Sequence, residues 1–317
     1  MSVPETFQVG HAQIGTVALL TNPAAGKGSA ADAATVARER LNNRGVDVVS
    51  IQGATPEASR KLAADAINDD RVDALVVCGG DGLINLALQE QAQSGKPLGI
   101  IPAGTGNDHA REYNIPLHAE KAADVIADGF WTTTDLGTMR ADAPDVDPHW
   151  FGTIACAGFD SLVSDRTNKI TWPKGRNRFN LAIVLEFLKF HSLPARVVLD
   201  PGTDQERELG DRVTLCAIGN TRTYGGGMYI CPDANHHDGL FDVTVMGRMN
   251  RAEVVWKFGK IFGGSIRGEN GIEMYQAKKV RVEMDGINGY ADGELYAPLP
   301  MEVEVVPGAG KYLVPRP

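Results

Sequence analysis

The sequence predicts an α/β domain built on a mostly parallel sheet, followed by a second, β-rich and sandwich-like domain. Three observations carry that reading. Short apolar runs alternate with amphipathic stretches as far as about residue 127, the pattern of a parallel sheet covered by helices on both faces. From Trp150 onward the chain is rich in short strand-like segments with few helical ones between them. Its 317 residues are also long for one domain. The expected division gives 1–136 to the first domain and 137–306 to the second, with 307–317 returning to the first.

The elements of the first part follow in order. Residues 16–20 form an apolar strand that runs into Asn22-Pro23-Ala24-Ala25-Gly26-Lys27-Gly28. A helix starts near Ser29, a residue type that caps helix N-termini. Residues 46–51 form the second strand. Residues 56–68 are helical, with Ala58, Leu62, Ala63, Ala66 and Ile67 on one face. The run 74–78 is short, continuous and apolar, as a fully buried strand is. Gly79-Gly80-Asp81-Gly82 follows it, and a helix can begin at Leu83. A strand over 98–101 then leads into Pro102-Ala103-Gly104-Thr105-Gly106-Asn107-Asp108-His109, and a helix over about 119–127 closes the series. All three Gly-rich segments fall at strand carboxyl ends, where open α/β sheets bind ligands.

In the second part, the acidic, proline-rich stretch 141–148 reads as a loop. Strands are expected over 151–158, 195–199, 213–218, 240–246, 280–284 and 301–306, with helices over 179–190 and 252–262. A last strand, 311–315, would return to the first domain.

Composition bounds the function. Hydrophobic residues make up 43% and charged residues 22%, values ordinary for a globular chain. The net charge of -9 argues against nucleic acid as a partner. No Lys or Arg precedes Lys27, so no basic region opens a secretory signal. No apolar stretch approaches the ~18 residues that span a bilayer. Cys78, Cys156, Cys216 and Cys231 show no CxxC spacing, which fits buried thiols and a cytoplasmic protein.

The chemistry centres on Gly79 to Gly82. Glycines expose backbone N–H groups to a docked anion, and a following helix N-terminus favours negative charge. Asp81 puts a carboxylate at the same place, which makes sense when a divalent cation joins the two. The N–H groups of Gly80 and Gly82 and the Lys27 ammonium would neutralise phosphate charge, and Asp81 would hold Mg2+. Gly104, Thr105, Asn107 and Asp108 add flexible backbone and polar groups, although Asn107-Asp108 could equally cap a helix. Asp292 and Glu294 flank a glycine and can present two carboxylates on one loop, either of which could accept a hydroxyl proton. An ordinary acidic turn is the plainer alternative.

Taken together, these motifs resemble those of the diacylglycerol kinase-type lipid kinases, which include sphingosine and ceramide kinases. The resemblance rests on Asn22 to Gly28, Gly79 to Gly82, Pro102 to Asp108, Tyr224-Gly225-Gly226-Gly227-Met228, Pro232-Asp233-Ala234, Asp238-Gly239 and Asp292-Gly293-Glu294. It implies an ATP-binding α/β domain, a lipid-substrate domain resembling a β-sandwich, and an active site in the cleft between them. It places ATP on Asn22, Pro23, Ala24, Ala25 and Gly26, on Gly80 through Asn85 (Leu83 included), and on Thr105. It makes the Asp292-Gly293-Glu294 motif essential to catalysis. It also suggests a structural Mg2+ held by the Asp238 carboxylate and by backbone carbonyls of Asn235 and Leu240; His236-His237 as a zinc site is a weaker reading.

The chain departs from the family at Leu83, where many relatives carry Thr, and at Leu86, where many carry an acid that could touch the ribose or a metal. Arg166, Lys169, Lys174, Arg176 and Arg178 lie beside Trp172 and Phe179 with no acid between Asp165 and Glu186. That stretch is either a membrane-facing patch or a solvated loop. Segments 181–190 and 254–262 have apolar faces that could line a lipid groove or simply be core. The expectation is a peripheral kinase that phosphorylates a lipid alcohol, with diacylglycerol favoured, and that could form a homodimer. The alternatives are a sphingoid-base kinase, an enzyme like NAD kinase, or a sensor without catalysis.

Overall fold

The computed structural model describes residues 7–22, 29–170 and 192–316. The chain forms two compact units, Met1–Leu136 with Val306–Pro317, and Gly137–Val305.

In the first unit the end of Met301–Leu313, then Leu98–Pro102, Ala74–Gly79, Thr16–Thr21 and Asp47–Gln52 lie side by side as parallel strands. Burial follows position in the sheet. Ala74–Gly79 and Leu98–Pro102 are buried at every residue, whereas the edge strand Asp47–Gln52 alternates between half-buried and exposed. Central strands covered on both faces need continuous apolar runs, and an edge does not. The helices Ser29–Asn43 and Ala119–Asp128 are tied by Arg40 and Arg44 to Asp124 and Asp128 at 2.7–2.8 Å. Thr55 caps Pro56–Ile67 by accepting the Ala58 N–H at 3.2 Å, with Pro56 opening the helix.

The second unit is a sandwich. One layer contains Arg207–Leu209, Arg196–Leu199, Lys279–Glu283 and residues 301–305 in antiparallel order. The other is a six-stranded antiparallel sheet ordered Ile272–Ala277, Phe241–Met246, Leu215–Gly219, Ile154–Gly158, Asn288–Ala291, Glu294–Pro298. The period of two decides which core each side chain joins. Cys216 and Ile218 pack with Val197, Val280 and Val303, while Leu215 and Ala217 join Met246, Ile261 and Ile266. Asn250 caps the helix Arg251–Phe262 through a reciprocal box with Glu253.

Several elements differ from expectation. The helix after the glycines begins at Asp81, not Leu83, with Gly80 as its N-cap. The expected strand over 151–158 is two, His149–Phe151 and Ile154–Gly158, broken at Gly152-Thr153. The two expected final strands are one, Met301–Leu313, which continues through Pro307 and Gly308. The Gly308 N–H is satisfied at 2.8 Å by the Asp135 carboxylate, so the strand passes the Pro-Gly step without ending. Short helices Asp108–Glu112 and Phe159–Lys169 and the strands Ile272–Ala277, Asn288–Ala291 and Glu294–Pro298 are additional to the expectation. The expected helix over 179–190, and Lys174, Arg176, Arg178, Trp172 and Phe179, lie outside the described residues.

Candidate active site

The first unit brings two glycine segments together backbone to backbone. A Cβ on Gly104 would stand 2.5 Å from the Gly80 Cα, and one on Gly80 would stand 3.1 Å from the Gly104 Cα. Gly80 is extended, so close approach is what requires glycine here. Asn107 maintains the contact. It sits at φ +55°, accepts the Gly104 N–H at 2.9 Å and donates to the Gly104 carbonyl at 3.0 Å. It occupies the N-cap position of Asp108–Glu112 without a capping hydrogen bond, so its side chain staples the loop instead of capping the helix. Thr105 is left exposed at the tip.

Asp81 opens the helix Asp81–Gln91 and remains 17% exposed at its side chain. Its Oδ1 accepts the His109 N–H at 3.2 Å and meets His109 Nδ1 at 3.3 Å. Burial works to raise the Asp81 carboxyl, but the bond and attraction from His109 and the backbone N–H groups of His109 and Asp108 outweigh it and hold it below its ordinary value. Leu83 and Asn85 are buried at 9% and 3% exposure. Leu83 packs against Gly79, where an added Cβ would stand 2.9 Å from its side chain. Asp108 is likewise buried. Asn22 ends the described part of its loop, and Pro23, Ala24, Ala25, Gly26 and Lys27 lie outside the described residues.

In the second unit Asp292 and Gly293 are the two-residue loop of a hairpin joining Asn288–Ala291 to Glu294–Pro298. Their φ values of +51° and +81° are those an Asp-Gly hairpin turn adopts. Asp292 is more than a turn residue. Its carboxylate accepts the Gly152 N–H at 3.0 Å, the Thr153 N–H at 2.8 Å and the Thr153 hydroxyl at 2.5 Å. The break between the two strands at Gly152-Thr153 supplies these donors. Asn220 secures the same loop by donating to the Gly152 carbonyl at 2.9 Å. Glu294 is exposed by contrast. Desolvation first, and the negative Asp292 second, push its carboxyl above the usual range.

A family model described as "Diacylglycerol kinase catalytic domain" matches residues 16–139. One described as "YegS C-terminal NAD kinase beta sandwich-like domain" matches residues 153–314. A "Diacylglycerol kinase" of Mycobacterium tuberculosis is 46% identical over 310 residues, 98% of each chain. The chain belongs to the diacylglycerol kinase family of lipid kinases. A "Probable lipid kinase YegS-like" of Xanthomonas campestris is 32% identical over 71% of this chain and 72% of its own. A crystal structure of a diacylglycerol kinase from Bacillus anthracis superposes with a TM-score of 0.71 at 20% identity, covering 96% of this chain and 98% of that one, and shares the fold. This lipid kinase therefore uses ATP as the family implies, and the α/β and sandwich expectations hold. Among the described residues no helix is long and apolar enough to cross a membrane.

The remaining motifs have defined local geometry. Asp238 accepts the Leu240 N–H at 3.0 Å and donates its own N–H to the Asn235 carbonyl at 3.3 Å, around Gly239 at φ +74°. Among the described residues no group of three or more His, Cys, Asp or Glu side chains is placed to hold a metal ion. A cation at this turn would rest on carbonyls and the one carboxylate, a hard-oxygen set. Four residues that sequence reasoning passed over matter here. His109 braces Asp81, Thr153 and Asn220 hold the Asp292 loop, and Asp165 binds the Tyr290 hydroxyl at 2.5 Å and the Asn288 amide at 3.2 Å. Only His109 lay inside a motif already singled out; the others are polar residues whose partners are remote in sequence.

Proposed function

We propose that this lipid kinase transfers the γ-phosphoryl group of ATP to the free hydroxyl of diacylglycerol, giving phosphatidic acid and ADP. The observation that carries the assignment of roles is the contrast between Asp292 and Glu294. Asp292 has both carboxylate oxygens occupied by Gly152 and Thr153, whereas Glu294 is exposed with a raised proton affinity. A general base must be reachable and must bind the proton it receives. Glu294 takes the hydroxyl proton, the lipid oxygen bonds to the γ-phosphorus, and the bond to the bridging oxygen of ADP breaks. Asp292 holds the turn and supplies a fixed negative charge.

The first unit is the ATP-binding domain in this reading. Backbone N–H groups of Gly80 and Gly82 meet the phosphates, and Thr105 adds a hydroxyl. Asp81, a part-exposed carboxylate kept ionised, suits a hard cation. Bound Mg2+ would neutralise developing charge on the transferring phosphoryl group. The second unit is the lipid-substrate domain, and Asn235, Asp238 and Leu240 hold a structural Mg2+. The enzyme works in peripheral contact with the cytoplasmic face of a membrane, where its acceptor resides, and forms a homodimer.

The test is phosphate transfer from ATP with Mg2+ in mixed micelles, offering diacylglycerol, monoacylglycerol, ceramide and sphingosine, with NAD as a soluble control. Diacylglycerol should be the best acceptor, and Asp81→Asn should abolish transfer. Transfer to NAD alone, or to sphingosine in preference to diacylglycerol, overturns the acceptor. Light scattering tests the dimer.

A further inference from the structure

We propose that His109 is a positioning residue for the Asp81 carboxylate, fixing its orientation through the ring Nδ1–H and thereby setting how tightly a divalent cation is held at the nucleotide phosphates. The inference rests on the reading of Asp81 as the cation-binding carboxylate.

His109 is fully buried, at 0% exposure, directly after the glycine segment. Two of its groups converge on one carboxylate oxygen, the backbone N–H at 3.2 Å and Nδ1 at 3.3 Å. A carboxylate oxygen only accepts, so Nδ1 carries the hydrogen. Two donors on Oδ1 hold the carboxylate against rotation and so decide the direction in which Oδ2 faces. The ring is itself held. It stacks at 6.3 Å on Tyr312, which stacks at 4.3 Å on Tyr113, whose hydroxyl bonds the Thr134 hydroxyl at 3.0 Å. Tyr312 is fully buried on the strand Met301–Leu313, so the far end of the chain fixes the ring that fixes Asp81.

Packing alone does not ask for histidine. A phenyl ring would fill the same space and stack on Tyr312 equally well, but it cannot donate to Asp81. Partners that orient a metal-binding carboxylate typically carry about 10–100-fold in cation affinity. His109 does not touch the nucleotide in this assignment, so its effect belongs to the cation and not to ADP.

Two substitutions separate donation from packing. His109→Phe keeps the stacked ring and removes the donor. His109→Asn keeps an N–H near the Nδ1 position and removes the stack. Mn2+ binding to the full-length protein saturated with ADP is read by electron paramagnetic resonance, beside ADP binding without metal and the thermal midpoint. His109→Phe should weaken Mn2+ binding about tenfold at unchanged metal-free ADP affinity, with a midpoint lowered only by the loss of one hydrogen bond to a part-exposed carboxylate. His109→Asn should stay within about threefold of the wild type for Mn2+ even where its midpoint falls. Wild-type Mn2+ affinity in His109→Phe, or a greater loss in His109→Asn than in His109→Phe, overturns the proposal. Asp81→Asn is the separate control. If it binds Mn2+ as the wild type does, the cation assignment of Asp81 itself fails.

Discussion

Replacing Asp292 by Asn tests whether this carboxylate holds the fold. The carboxylate accepts three hydrogen bonds, at 3.0, 2.8 and 2.5 Å, and Asn tolerates the φ of +51° at this position. The best placement of the amide keeps its oxygen on Thr153, which supplies two donors. Its NH2 then faces the Gly152 N–H, donor against donor. A hydrogen bond to a charged group contributes about 1.5–3 kcal/mol, and a buried N–H left unsatisfied costs about 1–3 kcal/mol. Partial relaxation of the loop brings the expected loss to about 3 kcal/mol. In a unit of this size that lowers the melting midpoint by about 6–12 °C. Thr153→Val removes the hydroxyl alone and should cost about 2 kcal/mol. In the double variant the losses should fall short of additive by about 1 kcal/mol, because one interaction is removed twice. Thermal and urea unfolding measure the losses, and hydrogen exchange of peptides covering Gly152 and Thr153 locates them. An Asp292→Asn protein with the wild-type midpoint and unchanged protection at Gly152 would refute the reasoning, and lost activity in that protein would assign the carboxylate to chemistry instead.

Three further outcomes are expected. Glu294→Gln should lower kcat about 10²–10⁴-fold with little change in KM for ATP. Because the Glu294 carboxyl is raised by desolvation and by Asp292, the acid limb of the wild-type rate profile should lie above the ordinary value of about 4.3; Asp292→Asn removes a negative neighbour, so Glu294 ionises at lower pH and the limb moves down. Gly104→Ala puts a methyl 2.5 Å from the Gly80 backbone, which should cost about 1–3 kcal/mol and weaken ATP binding measured by calorimetry. Burial pushes the Cys78 and Cys231 thiols up to about 12, so neither should react with a thiol reagent at pH 8 until the protein unfolds.

What the sequence determined by itself is local. The continuous apolar runs ending at Gly79 and Pro102 specify buried parallel strands, because only a strand covered on both faces needs apolar residues at every position. Glycine at the ends of those strands marks where a ligand's phosphates can reach the backbone, and Asp81 marks the charge placed beside them. Even the Asp292-Gly293 pair was legible as a turn, since few other residues accept two consecutive positive φ angles. The tertiary structure decided which of these groups face solvent and which are held. Thr153 stands 139 residues from Asp292 in the chain and His109 stands 28 from Asp81, and no local pattern encodes such pairs. The helix begins at Asp81, two residues earlier than the apolar pattern indicates, and buries Leu83 and Asn85. Hydrophobic periodicity records which side of an element is buried. It carries no record of the remote donor that a buried carboxylate meets, and that partner separates Asp292 from Glu294.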